Sequence, residues 1–140
     1  MTSDAALPLC GVDLIEVPRV RAAIERHGER FLQRVFHPEE IAYCQRKTHP
    51  WPNWSVRFAA KEALFKAVRP GTLRHLIWRE IYVARHRSGQ PQLAFTGDTE
   101  KRLQGWRFSL ALSHLKDLAI AQVIALPPDA APPESATPGA

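Results

Sequence analysis

Apolar and polar positions change their spacing several times along the chain, and each change marks an element. Near the start, LCGVDLIEV alternates, with Cys10, Val12 and Leu14 on one face and Asp13 on the other, the spacing of a short strand. Asp is depleted in strands and costly to bury without a partner, so Asp13 stands out there. Pro18 suits the first turn of a helix running to about His27, where Gly28 stops it. HPEEIAYCQRK predicts a second helix, with Pro38 and two acids at its start and Arg46 and Lys47 at its end, as the helix dipole prefers. A third should run from about Asn53 to Val68, ended by Pro70 and Gly71. At about 100° per residue its core face gathers Val56, Ala60, Ala63, Leu64, Ala67 and Val68, while Ser55, Glu62, Lys66 and Arg69 gather on another side.

Downstream, WREIYVARHRSGQPQLAFTG holds two alternating runs split by SGQP, a hairpin signature. DTEKRLQ reads as a short polar helix, and WRFSLALSHLKDLAIAQVIAL as a second hairpin turning at about HLKD. Three or four helices with a mostly antiparallel sheet make an α+β domain over residues 1–126. The last stretch, LPPDAAPPESATPGA, has no apolar periodicity, so residues 127–140 are expected to form a disordered tail.

Composition narrows the partners. The 140 residues are 45% hydrophobic, enough for one core, although a chain this short gains from oligomerising. A formal net charge of +5 favours an anionic partner: nucleic acid, a phosphorylated small molecule, an acidic protein or a membrane surface. Two cysteines, Cys10 and Cys44, are too few for a disulfide framework or a zinc cluster and read as free, buried thiols of a reducing compartment. No apolar run reaches the ~18 residues of a membrane span, and MTSDAALPLC lacks the features of a secretory signal, so a cytoplasmic protein is expected.

Candidate chemistry centres on the third helix. Between Ser55 and His75 stand five cations, Arg57, Lys61, Lys66, Arg69 and Arg74, and one acid, Glu62. Glu62 and Lys66, at i and i+4, could form an ordinary surface pair. Taken with Asp13, Glu62 instead supplies the second of two hard oxygen ligands, which is what a Mg²⁺ site takes from protein when waters and substrate phosphates fill the rest. The surrounding cations would neutralise the same phosphates.

CGVDLIEVPRV, RFAAKEALFKA and LALSHLKDLAIAQVIA, in that order and at these separations, resemble the holo-acyl-carrier-protein synthase family of 4′-phosphopantetheinyl transferases; RFLQRVFHPEEIAYC and SGQPQLAFTG fit between them. The resemblance covers about residues 9–126. It implies transfer of 4′-phosphopantetheine from coenzyme A to a serine of an apo acyl carrier protein, release of 3′,5′-ADP, a requirement for Mg²⁺, and a homotrimer with active sites at subunit contacts. It further implies Asp13 and Glu62 as the metal ligands. Lys66, one turn beyond Glu62, would add positive charge on the coenzyme A pyrophosphate, and Glu62 or a water of the metal would take the serine proton. Arg57 and Lys61, on another side of the helix, are either nucleotide phosphate contacts or solvated cations.

His114 sits where the family carries a His on the coenzyme A side of the site. The family's first Ser of the preceding pattern is Ala111 here, and its Gly-Thr-Gly loop is Arg69, Pro70, Gly71; Gly71 remains, Pro70 lacks an N–H to donate, and Arg69 could replace backbone donors with a guanidinium. Arg19, Arg26 and Arg30, spaced by seven and four, would share a helix face if the helix continues past Gly28. The resemblance implies that this face meets the acidic helix of the carrier, with Arg19 on a matching position.

Other functional classes explain less. The chain has no aromatic-rich RNA-binding strand motif and no zinc-finger spacing, so a nucleic-acid partner is not expected. A non-catalytic carrier-protein binder would account for Ala111 and the altered loop, yet both carboxylates and Lys66 are retained. Which carrier, and whether it serves fatty acid synthesis, polyketide assembly or a specialised pathway, stays open at this level.

Overall fold

The computed structural model describes residues 7–68 and 76–128. In chain order it runs β1 (Leu9–Glu16), α1 (Val17–Val35), α2 (Pro38–Gln45), α3 (Trp51–Ala67), a single 3-10 turn (Trp78–Glu80), β2 (Ile81–Arg85), β3 (Pro91–Phe95), α4 (Gly97–Arg102), β4 (Arg107–His114) and β5 (Leu118–Leu126). Among the described residues all strand pairings are antiparallel, in a three-stranded sheet ordered β1-β5-β4 and a separate β2-β3 hairpin, so the fold is α+β. The hairpins turn where SGQP and HLKD lie, with Gly89 at φ +86.

Helix α3 lies across one face of the larger sheet. Its Ala59, Ala60, Ala63 and Ala67 are buried against Ala121, Val123 and Ala125 of β5. These small side chains let the two backbones come close, and at Gly11 the approach leaves no room at all. A Cβ there would fall on the Ala63 carbonyl oxygen and within 2.5 Å of the Ala67 nitrogen. The expected core face of α3 is buried throughout. Ser55, grouped with Glu62 and Lys66 by periodicity, is buried as well, because the start of that stripe runs under the neighbouring elements and its hydroxyl donates to the Trp51 carbonyl at 2.7 Å.

Two expectations about the first third of the chain need correction. Gly28 does break the helix, with φ +58 and ψ −141, but the chain resumes helical geometry and α1 continues to Val35. Leu32, Val35 and Phe36 carry it on, since they join Val20, Ile24, Cys44 and Trp54 in a second core cluster. The second correction concerns the cysteines. Cys44 is buried, and burial pushes its thiol up to about 12, whereas Cys10 is exposed.

Cys10 is exposed because β1 alternates the other way round from an ordinary half-buried strand. Gly11, Asp13 and Ile15 face α3; Cys10, Val12 and Leu14 face out. Opposite them on β5 stand Ile124, Gln122 and Ile120. With Leu118 they form an apolar sheet face on which Leu14 is 63% and Val12 51% exposed. β5 ends at Leu126 and the chain is described to Pro128; the rest of the expected tail, from Asp129, lies outside the described residues.

Candidate active site

The close contact of β1 with α3 carries Asp13 to the flank of the helix where Glu62 and Lys66 emerge. The Lys66 ammonium donates to Asp13 Oδ1 at 2.9 Å and to the Val12 carbonyl at 3.2 Å. Lys66 therefore pairs with the strand carboxylate and not with Glu62 four residues back on its own helix. Glu62 is half-buried, and its carboxyl is held above the ordinary value by burial first and by the neighbouring Asp13 charge second, with Lys66 working against both. Two carboxylates lining one cavity are a donor set suited to a hard cation.

That cavity, of about 390 Å³, is lined by Asp13, Glu62, Phe31, Phe58 and, from α1, Arg19. Arg19 is thus brought beside the carboxylates. Arg26 and Arg30 are exposed but lie on either side of the Gly28 break, so helical spacing does not align them on one face. Among the described residues there is no group of three or more His, Cys, Asp or Glu placed to hold a metal. A cation at Asp13 and Glu62 would thus take two protein side chains.

Arg57 and His114 meet elsewhere. They line a cavity of about 220 Å³ with Tyr43, Asn53, Arg85 and Pro91, and none of its lining residues is acidic. Arg57 is nearly buried, donates from Nη1 to the Asn53 carbonyl at 3.2 Å, stacks over the Tyr43 ring at 4.3 Å, and keeps a buried Nε without a hydrogen bond. Lys47 lies 4.7 Å over the same ring, and Arg85 donates to the phenol oxygen at 3.2 Å. Burial would raise the Tyr43 phenol, yet Arg85, Lys47 and Arg57 together pull it below its ordinary value. Three cations around one aromatic ring concentrate positive charge there, an environment suited to an anion. Sequence reading missed Tyr43, Lys47 and Arg85, because they come from α2, its end and β2 and share no periodicity.

The two cavities share no lining residue. They flank different sides of α3, and the sheet separates their strands: Asp13 on β1 is level with Ala121 on β5 and Leu112 on β4, a span of about 10 Å at ordinary strand spacing.

Lys61 belongs to neither, which corrects its reading as a phosphate contact or solvated cation. It is fully buried, and its ammonium donates to Glu40 Oε1 at 2.6 Å and to the carbonyls of Val35, Ile81 and Trp78 at 2.7, 2.6 and 3.1 Å. Burial holds this ammonium below its ordinary pKa while Glu40 pulls the other way. Glu40 also accepts from the backbone N–H groups of His37 and Val83, so the pair ties the ends of α1 and α2 to α3 and β2. Arg69, Pro70 and Gly71 lie outside the described residues.

Comparison with known proteins gives this geometry its context. The family model described as 4′-phosphopantetheinyl transferase superfamily matches residues 9–123. A holo-[acyl-carrier-protein] synthase of Koribacter versatilis is 40% identical over 117 residues, covering 81% of this chain and 94% of that protein, and one of Chlamydia muridarum is 39% identical over 115 residues, covering 82% and 91%. Among solved structures, the Chronobacterium ammoniagenes ACPS-CoA complex aligns at a TM-score of 0.74 with 29% identity over 85% of this chain and 96% of that one. The holo-[acyl-carrier-protein] synthase of Neisseria meningitidis aligns at 0.73 with 30% identity over 84% and 97%. With the match running from β1 into β5, through both carboxylates, Lys66 and His114, the chain belongs to the 4′-phosphopantetheinyl transferase superfamily.

Proposed function

We infer that the chain is a holo-[acyl-carrier-protein] synthase, which moves 4′-phosphopantetheine from coenzyme A to a serine of an apo acyl carrier protein. The observation that carries this is the convergence of Asp13 and Glu62 on one cavity, with Lys66 bonded to Asp13, in a chain that aligns over 81% of its length with such a synthase. In the reaction the serine oxygen bonds to the β-phosphorus of coenzyme A, the bond from that phosphorus to the bridging oxygen breaks, and 3′,5′-ADP leaves with the electron pair. Asp13 and Glu62 would hold Mg²⁺, which when bound supplies polarisation of the pyrophosphate and neutralises charge on the leaving group. Lys66, on its mobile four-carbon stem, adds a cation on the same pyrophosphate. Glu62, with its carboxyl held above the ordinary range, is the chain's own acceptor for the serine proton. Arg57 and His114 bind phosphate of the nucleotide half. Arg19, at the mouth of the Asp13 cavity, meets the acidic surface of the carrier as its serine arrives.

These parts lie in two cavities within one subunit, which supports assembly of the complete site from two copies of the chain. The outward apolar face of β1 and β5 supports a homotrimer, since such a face on a small domain is stabilised by burial against its own kind. No helix among the described residues is long and apolar enough to cross a membrane, and we place the protein in the cytoplasm.

The direct test is incubation with apo carrier protein, coenzyme A and Mg²⁺, following the mass of the carrier. A gain equal to one phosphopantetheine is expected, and an unchanged mass with every tested carrier refutes the activity. For the shared site, Asp13→Asn and Arg57→Ala should each be inactive alone and regain activity when unfolded and refolded together. Sedimentation should give three subunits.

A further inference from the structure

Lys66 is held by partners that its role in catalysis requires it to leave. Its ammonium sits 2.9 Å from Asp13 Oδ1, a ligand position for the divalent cation, and 3.2 Å from the Val12 carbonyl. A divalent cation bound through that carboxylate and an ammonium at salt-bridge distance from it repel one another, so each weakens the other's hold on Asp13. The two ends of the pair differ in freedom: the Asp13 side chain is 14% exposed, the Lys66 side chain 53%. The strand fixes the carboxylate; the lysine stem can swing.

We propose that Lys66 is an exchangeable counter-ion, which occupies Asp13 in the free protein and gives it up to the divalent cation only when a phosphate group arrives to take the ammonium. This rests on Asp13 and Glu62 being the metal ligands. Among the described residues Lys66 is the cation bonded to Asp13, Arg19 being on the cavity lining without a bond to either carboxylate; with Lys66 there, the metal must displace an ammonium to take full hold of Asp13. A pyrophosphate entering the cavity offers that ammonium a doubly charged alternative. Metal and coenzyme A therefore bind with positive coupling, each weak alone, and by linkage each tightens the other by the same factor. The free enzyme is thereby kept from loading metal unproductively.

The test uses the full-length protein and Mn²⁺ as the metal probe. Mn²⁺ is titrated without coenzyme A and its free concentration followed by electron paramagnetic resonance. Lys66→Met should bind Mn²⁺ about three- to tenfold more tightly than the unsubstituted protein. Lys66→Arg, which keeps the charge, should stay near the original affinity. Coenzyme A binding measured by calorimetry with and without Mn²⁺ should then show strong coupling in the unsubstituted protein and reduced coupling in Lys66→Met. If Lys66→Met binds Mn²⁺ no more tightly than the unsubstituted protein, or if its coupling is undiminished, the counter-ion role is wrong. Asp13→Asn separates the two layers of the idea: unchanged Mn²⁺ affinity in that variant overturns the metal assignment itself. Lost affinity in Asp13→Asn, together with no gain in Lys66→Met, overturns only the role of Lys66.

Discussion

Lys61 and Lys66 stand five residues apart on α3, and each meets a carboxylate delivered by another element. Around Lys61 no water reaches: Glu40 and three carbonyls take the ammonium, and all four acceptors come from segments that must be folded for the pair to exist. Around Lys66 one carboxylate and one carbonyl suffice, and half of the side chain faces solvent. In the interior, breaking an ion pair leaves a charge with nowhere to go, so the pair is permanent. At the edge of a cavity the same pair is worth little and can be exchanged for a phosphate or a metal. Burial, not residue type, separates the lysine that builds the helix's surroundings from the one available for chemistry.

The contrast is broken most directly at Lys61. Lys61→Met leaves the Glu40 carboxylate buried without its cation and should lower unfolding stability by about 3–5 kcal/mol, whereas Lys66→Met should change it by less than about 1 kcal/mol. Urea titrations of both variants decide it, and similar losses in the two would mean that burial is not the controlling difference.

Gly11→Ala acts on the contact that delivers Asp13 to Lys66. Because the new methyl meets helix backbone that cannot rotate away, a loss of about 3 kcal/mol or more is expected. Relief by shifting β1 should weaken the Asp13 site before it touches the Glu40–Lys61 pair. A variant of normal stability and normal activity would show that β1 and α3 do not pack this closely.

Asp13→Asn and Glu62→Gln sharpen the other side. Each preserves shape and removes one of the two charges proposed to hold the metal, so turnover at limiting Mg²⁺ should fall about a hundredfold or more while the melting temperature stays within a few degrees. Near-normal turnover in either variant would remove that residue from the metal site. The smallest effect is expected at Arg19, which is exposed and whose proposed role is in encounter with the carrier. Arg19→Glu should raise the Michaelis constant for carrier protein severalfold, lessen its salt dependence and leave the constant for coenzyme A unchanged. Equal impairment toward both substrates would place Arg19 in the chemistry instead of at the docking face.

Local order was largely legible from the chain. Alternation located the strands, prolines stand at the starts of α1, α2 and α3, and the turns fell at SGQP and HLKD, because each depends on neighbours a few residues apart. Asp13 could be singled out since a carboxylate inside a strand contradicts its own surroundings, and Glu62 since it is the lone acid in a cationic run. Most of the misreadings concern which way a residue faces, and one concerns where a helix ends. Cys10, Val12 and Leu14 form an apolar face whether or not anything covers it, and α3 covers the opposite face because only there do Gly11 and the alanines allow helix and sheet to touch. Gly28 stops a helix by its backbone angles, but the burial of Leu32 and Val35 starts the next one.

The residues themselves determined the inventory: two carboxylates out of keeping with their surroundings, an excess of cations, a fold of hairpins and amphipathic helices. Tertiary structure alone decided the assignments. Lys61 and Lys66 carry the same charge, and only the arrival of Val35, Glu40, Trp78 and Ile81 around one of them, and of Asp13 beside the other, buries the first and leaves the second half open to solvent. Likewise Arg57, Tyr43, Arg85 and His114 come to line one cavity only when four separate elements meet. Such meetings depend on long-range packing, which no local pattern encodes, and packing sets the desolvation that decides what a charged side chain can do.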